Sequence, residues 1–347
     1  MCIHSGGFYP KSGERCGGVR DQQAVAIIGC GLIGTKRAQA VGDCRVRVCC
    51  DTVIARAEGL AAKFPGAEAS SDWRTAATHP EVNIVIVATT HNQLAVIAET
   101  AASAGKHVLI EKPGARRASE LEPALREAQR TRVAVRVGFN HRYHRALQEA
   151  RRIFLTGALG EMMFVRGRYG HGGRVGYDRE WRADPQASGG GELLDQGVHL
   201  IDLARWFLGD FERVQGHIGT YFWDMPVEDN AFLILTTPAG KTALLHATWT
   251  EWKNLFSLEI YGRLGKLEIS GLGGSYGVER LAFYRMLPQM GPPETTIWEY
   301  PMADNSWDSE FADFLEDIHL RREPSPGIRD AQAALRIVEN VYAGVSR

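Results

Sequence analysis

Short apolar runs alternate with helix-length amphipathic stretches through the first 140 residues. Ala24–Gly29 (AVAIIG), Arg45–Asp51 (RVRVCCD), Asn83–Thr90 (NIVIVATT), His107–Ile110 and Val133–Phe139 predict strands. Leu32–Gly42, Ile54–Phe64, Asn92–Ala104 and Ser119–Arg130 predict the helices between them. This alternation implies right-handed βαβ units around a parallel sheet. Runs that are apolar at nearly every position fit strands covered on both faces.

After Asn140 the pattern changes. A helix is expected at Arg145–Leu155, a strand at Met162–Tyr169, a Gly/Arg-rich loop at Gly170–Gly191 and a helix at Glu192–Leu208. Short strands follow at Val214–Phe222, Ala231–Thr237, Thr242–Trp249, Phe256–Tyr261, Gly265–Ile269 and Leu281–Tyr284. Gly, Asn and Pro between them indicate hairpins and an antiparallel sheet. Helices at Trp307–Arg321 and Asp330–Val345 close the chain. The expected organisation is a loose extension over 1–23, a doubly wound parallel (Rossmann) α/β domain over 24–140, and an α+β domain over 141–347.

Composition narrows the class without changing this picture. The 347 residues are 44% hydrophobic and 23% charged, as in a globular chain long enough for two cores. A net charge of −1 provides no basic field for nucleic acid or an anionic membrane. No apolar run reaches the ~20 residues of a membrane span. Met1–Gln23 lacks the apolar core of a secretory signal. The six cysteines lie within the first 50 residues, and Cys44, Cys49 and Cys50 sit in or beside a strand. Buried free thiols, a reducing setting and a cytoplasmic location are the expectation. No CxxC spacing points to a metal.

Gly29-Cys30-Gly31-Leu32-Ile33-Gly34 is a GxGxxG between a predicted strand and a predicted helix. That context suits a dinucleotide: Gly29 for the tight turn, Gly31 for approach of the pyrophosphate, Gly34 for helix–strand packing. The helix N-terminus offers free N–H groups to the phosphates. Asp51 ends the second strand about 20 residues on, where a carboxylate binds the adenosine ribose and repels a 2′-phosphate. NAD is therefore expected rather than NADP, with Arg56 as a possible moderator.

Lys112, in Glu111-Lys112-Pro113, follows a strand at its carboxyl end, the side on which α/β sheets bind ligands. An ammonium there can stabilise a developing alkoxide; a solvated lysine before a turn proline has the same sequence. Asp195, His199 and Asp202 have helical spacing and share one face. A carboxylate beside an imidazole orients it and raises its basicity. The same residues also suit a first-turn acid favoured by the helix dipole, or a metal site, although HExxH is absent. Gly189–Gly191 lets backbone or substrate come close. Arg168, Arg174, Arg179 and Arg182 in one polar loop can bind a phosphate or carboxylate, or can simply be solvated.

Taken in order, GCGLIG at 29–34, EKP at 111–113, GFNHRY at 138–143, Glu180-Trp181-Arg182 and DQGVHLID at 195–202 resemble the glucose–fructose oxidoreductase / inositol dehydrogenase family. The resemblance runs over almost all of the chain from about Ala24. It implies a second domain with a large open antiparallel sheet that forms a homodimer or homotetramer interface. It also implies that Lys112, Asp195 and His199 form the catalytic set. Glu111 would lie near the nicotinamide ribose, and Trp181, Arg182 and Asp202 would join Lys112, Asp195 and His199 around the substrate. Gly29, Gly31, Leu32, Ile33, Gly34, Asp51, Thr89 and Glu111 make the expected cofactor set. One departure is the turn Thr90-His91-Asn92 in place of the family's Thr-Pro-Asn, with Ala95 where the family has histidine.

The expected activity is reversible oxidation of a secondary ring hydroxyl of a sugar, cyclitol or nucleotide-linked sugar. His199, aided by Asp195, takes the hydroxyl proton, and Lys112 holds the oxygen. Two other functions fit the same motifs: glycoside cleavage through transient oxidation by bound NAD, and NAD sensing without turnover.

Overall fold

The computed structural model describes residues 23–344; the expected extension lies, apart from Gln23, outside the described residues. Six parallel strands form the first sheet: β1 (Ala24–Ile28), β2 (Arg45–Cys50), β3 (Glu68–Ser70), β4 (Ile84–Val87), β5 (His107–Glu111) and β6 (Val135–Gly138), in the order β3-β2-β1-β4-β5-β6. Every residue of β1, β4 and β6 is buried, because helices cover both faces. Five helices belong to this part: α1 (Leu32–Gln39), α2 (Ile54–Ala61), α3 (Trp73–Ala77), α4 (His91–Ser103) and α5 (Glu122–Thr131). The strand order reverses between β1 and β4, and the crevice beyond their carboxyl ends is the ligand position of such sheets.

Eight strands form the second sheet: β7 (Met162–Gly170), β8 (Arg213–Gly219), β9 (Asn230–Thr236), β10 (Thr242–Thr248), β11 (Leu255–Gly262), β12 (Gly265–Ser270), β13 (Glu279–Arg285) and β14 (Glu294–Tyr300). Their order is β14-β13-β12-β11-β7-β10-β9-β8. All neighbours run antiparallel except β7 and β10. Alternation is clearest in β11, where Phe256, Leu258 and Ile260 turn inward and their neighbours outward. Helices α6 (Arg145–Leu155), α8 (Val198–Leu208) and α10 (Ile328–Gly344) cover the inner face; α7 (Pro185–Ser188) is a single turn. The sequence pattern missed β14, an edge strand too exposed to show an apolar face.

The expected helix at Glu192–Leu208 divides in two. Leu193–Gly197 is a π-helical turn, and the α-helix begins at Val198. Such wide turns recur at functional sites because they re-aim side chains relative to α-helical spacing. Among the described residues no helix is long and apolar enough to cross a membrane.

The last long helices tie the two sheets together. In α9 (Ser306–Leu320), Phe311 and Phe314 pack with Val25, Ile27 and Ile86 on the first sheet. Beside them Arg37 of α1 is buried, its Nε donating to Glu111 at 2.6 Å and its Nη1 to Glu310 of α9. Burial disfavours the charge, but the two carboxylates outweigh that and raise its pKa. Removing one partner of a buried pair leaves an uncompensated charge. Arg37→Met is expected to cost about 3–5 kcal/mol in urea unfolding. Arg45→Met, at an exposed pair with Glu81, should cost at most about 1 kcal/mol. Equal small effects would refute the structural weight given to Arg37.

Candidate active site

The glycine loop is shaped by its neighbours. Gly29 has φ +95°, and a side chain there would strike the Ala88 carbonyl oxygen at 2.2 Å. A Cβ on Gly34 would lie 1.7 Å from the Gly29 carbonyl oxygen. Gly31 differs: a Cβ there would meet nothing within 4 Å, so its bareness leaves open space at the start of α1. No side chain caps that helix, and its first amides remain available to an anion. Asp51 accepts the Cys30 and Val53 N–H groups, both at 2.9 Å, and Arg56 lies 4.0 Å from it. These features fit a dinucleotide: an open phosphate position at a free helix start, with a carboxylate at the end of the next strand.

The loop opens onto a cleft of about 810 Å³, within the range of small-molecule sites. Of the expected cofactor residues, Gly29, Gly31, Leu32, Ile33, Asp51, Thr89 and Glu111 line it; Gly34 supports it from behind. Lys112, Trp181, Arg182, Asp195 and His199 line it as well. Residues distant in sequence and carried by both domains therefore meet at one place.

Lys112 reaches across the cleft. Its Nζ donates to Asp195 Oδ1 at 2.5 Å and to the Asp195 carbonyl oxygen at 2.7 Å. Arg182 Nε donates to the other carboxylate oxygen at 2.8 Å. Burial opposes the Asp195 charge, but Lys112 and Arg182 outweigh it and hold this carboxyl well below the usual range. The Arg182 guanidinium lies over the Trp181 ring at 4.5 Å, and Trp181 meets His91 edge-on at 4.8 Å.

This arrangement changes the expected pairing. Asp195 holds Lys112 and Arg182, not His199. His199 instead stacks on His141, with ring centroids 3.7 Å apart and planes 23° apart. Its Nδ1 is sealed from solvent without a partner, which leaves Nε2 to face the cleft. Burial, reinforced by Lys112, pushes its pKa well below the ordinary value, so His199 is neutral.

Asp202 does not reach the cleft. It is 1% exposed and takes both forks of Arg142, at 2.7 and 2.5 Å; Arg142 also binds Asp330 at 3.0 Å. The acid expected at the substrate is a structural anchor joining the GFNHRY segment, α8 and α10. Asp195, in the wide turn at 193–197, and His199, in regular helix, both face the cleft, whereas Asp202, one turn on from His199 in the same helix, meets Arg142 instead. The arginine loop divides in the same way. Arg168 belongs to β7 on the outer side of the second sheet, Arg179 is exposed beside Asp178, and Arg174 lines the cleft but pairs with Glu180. Only Arg182 touches the Lys112–Asp195 pair.

His91 is buried at the cleft, its Nδ1 donating to the Ser188 carbonyl at 2.8 Å. Burial lowers its pKa to about 4, against an opposing pull from Asp195. His141, His144, His171, Tyr177 and Tyr276 also line the substrate end, and sequence reasoning assigned none of them. GFNHRY was the signal for His141; Tyr276 lies in a loop with no motif.

The comparisons agree with this geometry. Residues 23–139 match the oxidoreductase family model with an NAD-binding Rossmann fold, and residues 147–268 match the GFO/IDH/MocA C-terminal domain. The levoglucosan dehydrogenase of Pseudarthrobacter phenanthrenivorans is 30% identical over 190 residues, 52% of this chain. The inositol 2-dehydrogenase of Rhizobium meliloti is 24% identical over 341 residues, 92% of this chain and 96% of that protein. The chain spans about half the length of two curated relatives it matches: 47% of that levoglucosan dehydrogenase and 53% of inositol 2-dehydrogenase 2 of Saccharopolyspora erythraea. In structure, a levoglucosan dehydrogenase complexed with NADH and levoglucosan superposes with a TM-score of 0.82 at 24% identity, over 93% of this chain and 97% of that one. With both domain models of one family matched in order over residues 23–139 and 147–268, this chain belongs to the GFO/IDH/MocA family of NAD-binding oxidoreductases.

Proposed function

We propose that this chain oxidises, reversibly, a secondary hydroxyl on the ring of a sugar or cyclitol. One observation carries the reading: Lys112, at the end of β5, meets Asp195 and a neutral His199 in the cleft onto which the glycine loop opens. When bound, the nicotinamide supplies a hydride acceptor. The chain's own residues do the rest. Asp195 fixes the Lys112 ammonium by two bonds, which leaves its third N–H to donate to the oxygen that becomes an alkoxide. His199 Nε2, unprotonated, takes the hydroxyl proton. Trp181 and Arg182 wall the same end of the cleft.

NAD is favoured over NADP because the Asp51 carboxylate occupies the ribose position. Its two hydrogen bonds to backbone amides keep it there. The outer face of the second sheet suits a second copy of the chain. Phe232, Ile234 and Leu244 lie adjacent on β9 and β10, each 40–49% exposed, and Phe164 of β7 stacks on Tyr261 of β11. A homodimer or homotetramer through this face, in the cytoplasm, completes the reading.

A panel of ring alcohols that includes levoglucosan and inositol, followed by NADH absorbance, tests the activity. Lys112→Ala should slow single-turnover oxidation by ~100-fold while NADH binding is retained; an unchanged rate would remove Lys112 from the chemistry. Because His199 must be unprotonated to accept a proton and its pKa is lowered, acid should inhibit only below the ordinary histidine range. The acid limb of kcat/KM is thus expected on the acid side of the ordinary imidazole position. A limb at the usual imidazole position, absent in His199→Asn, would contradict the buried neutral state.

A further inference from the structure

Three consecutive glycines precede the turn that carries Asp195, and their neighbours explain two of them. A side chain at Gly191 would lie 2.0 Å from the Glu228 carbonyl oxygen, and one at Gly190 would lie 2.1 Å from the Tyr342 hydroxyl. The glycines therefore make room for Glu228, in the connection between β8 and β9, and for Tyr342, in the last turns of α10.

Glu228 is buried and gathers the start of the turn. Its Oε2 accepts the Gly191 N–H and its Oε1 the Leu193 N–H, both at 3.1 Å. Its backbone carbonyl accepts the Glu192 N–H at 3.0 Å. Three successive amides, the groups a helix start leaves without internal partners, end on one residue. The Tyr342 hydroxyl donates to Oε1 at 2.8 Å. The bonds continue inward: the Gly191 carbonyl accepts the Asp195 N–H at 3.0 Å, and Asp195 holds Lys112.

We propose that Glu228 is a positioning residue for the Lys112–Asp195 pair, held in turn by the Tyr342 hydroxyl, so that the end of the C-terminal helix sets the geometry of the reacting groups. Glu228 does not line the cleft and acts through the backbone of residues 191–195. The assignment rests on the reading of Lys112 and Asp195 as functional groups. A carboxylate suits the task because both oxygens accept. Glutamine would turn an NH2 group toward one of the amides and lose that bond. Tyr342→Phe removes the hydroxyl that donates to Oε1 and leaves the Glu228 carboxylate in place.

The test needs no substrate. The full-length protein with NADH bound is pulsed with acetic anhydride, and labelling of Lys112 is measured by peptide mass spectrometry against the exposed Lys63 and Lys253. An ammonium locked onto Asp195 acylates slowly, and Asp195→Asn supplies the fast reference. Loss of one hydrogen bond at Glu228 should raise Lys112 labelling about fivefold in Glu228→Gln, with the two reference lysines unchanged. Tyr342→Phe should raise it about twofold, and carries the test alone if Glu228→Gln fails to fold. An unchanged Lys112 rate in a folded, NADH-binding variant overturns the proposal. So does a parallel rise at all three lysines, which would mean general loosening. A ring-alcohol panel without turnover would count against the dehydrogenase reading and leave the labelling result standing.

Discussion

The Arg37 guanidinium, enclosed between Glu111 and Glu310, is the contact on which the arrangement of the cleft depends. It joins the first helix after the glycine loop, the strand end that carries Lys112, and a helix more than 270 residues later in the chain. A charge removed from water is tolerated only when its partners are fixed, so each element restrains the other two. Gly138 belongs to the same knot, since a side chain there would fall 2.4 Å from Arg37 Nη2. The cofactor side and the Lys112 side of the cleft are therefore held in one rigid frame.

A second frame holds the other wall. Arg142 takes Asp202 and Asp330, binding α8 to α10 and to the segment that leaves β6. Between these two ionic anchors lie the groups proposed to react. The imidazoles that line the cleft around them are kept neutral by burial: His91, His141, His171 and His199 all have lowered pKa values. The fixed charges at the centre, Lys112, Arg182 and Asp195, act among weakly polar neighbours, where each is less screened than it would be in water.

The first sheet was legible in the sequence because strands buried on both faces are apolar throughout, and because GCGLIG performs its task locally. Lys112 and Asp195 were legible for the same reason: each lies beside a short, ordered motif. Asp202 was misread because spacing along a helix says which residues share a face, not what that face meets. Arg37 and Glu310 left no trace, since an arginine within Lys-Arg-Ala-Gln reads as surface, and only the fold brings a distant glutamate to it. His141 and Tyr276 reach the cleft through tertiary packing that no local pattern records.

Asp195 is one anion shared by two cations. That trio retains a single surplus positive charge. A neutral alcohol entering the cleft does not balance it, whereas the same molecule after losing its hydroxyl proton does. In the proposed reaction the hydroxyl proton passes to His199, so the charge of the cleft as a whole is unchanged, and the trio by itself is matched to the alkoxide rather than to the alcohol.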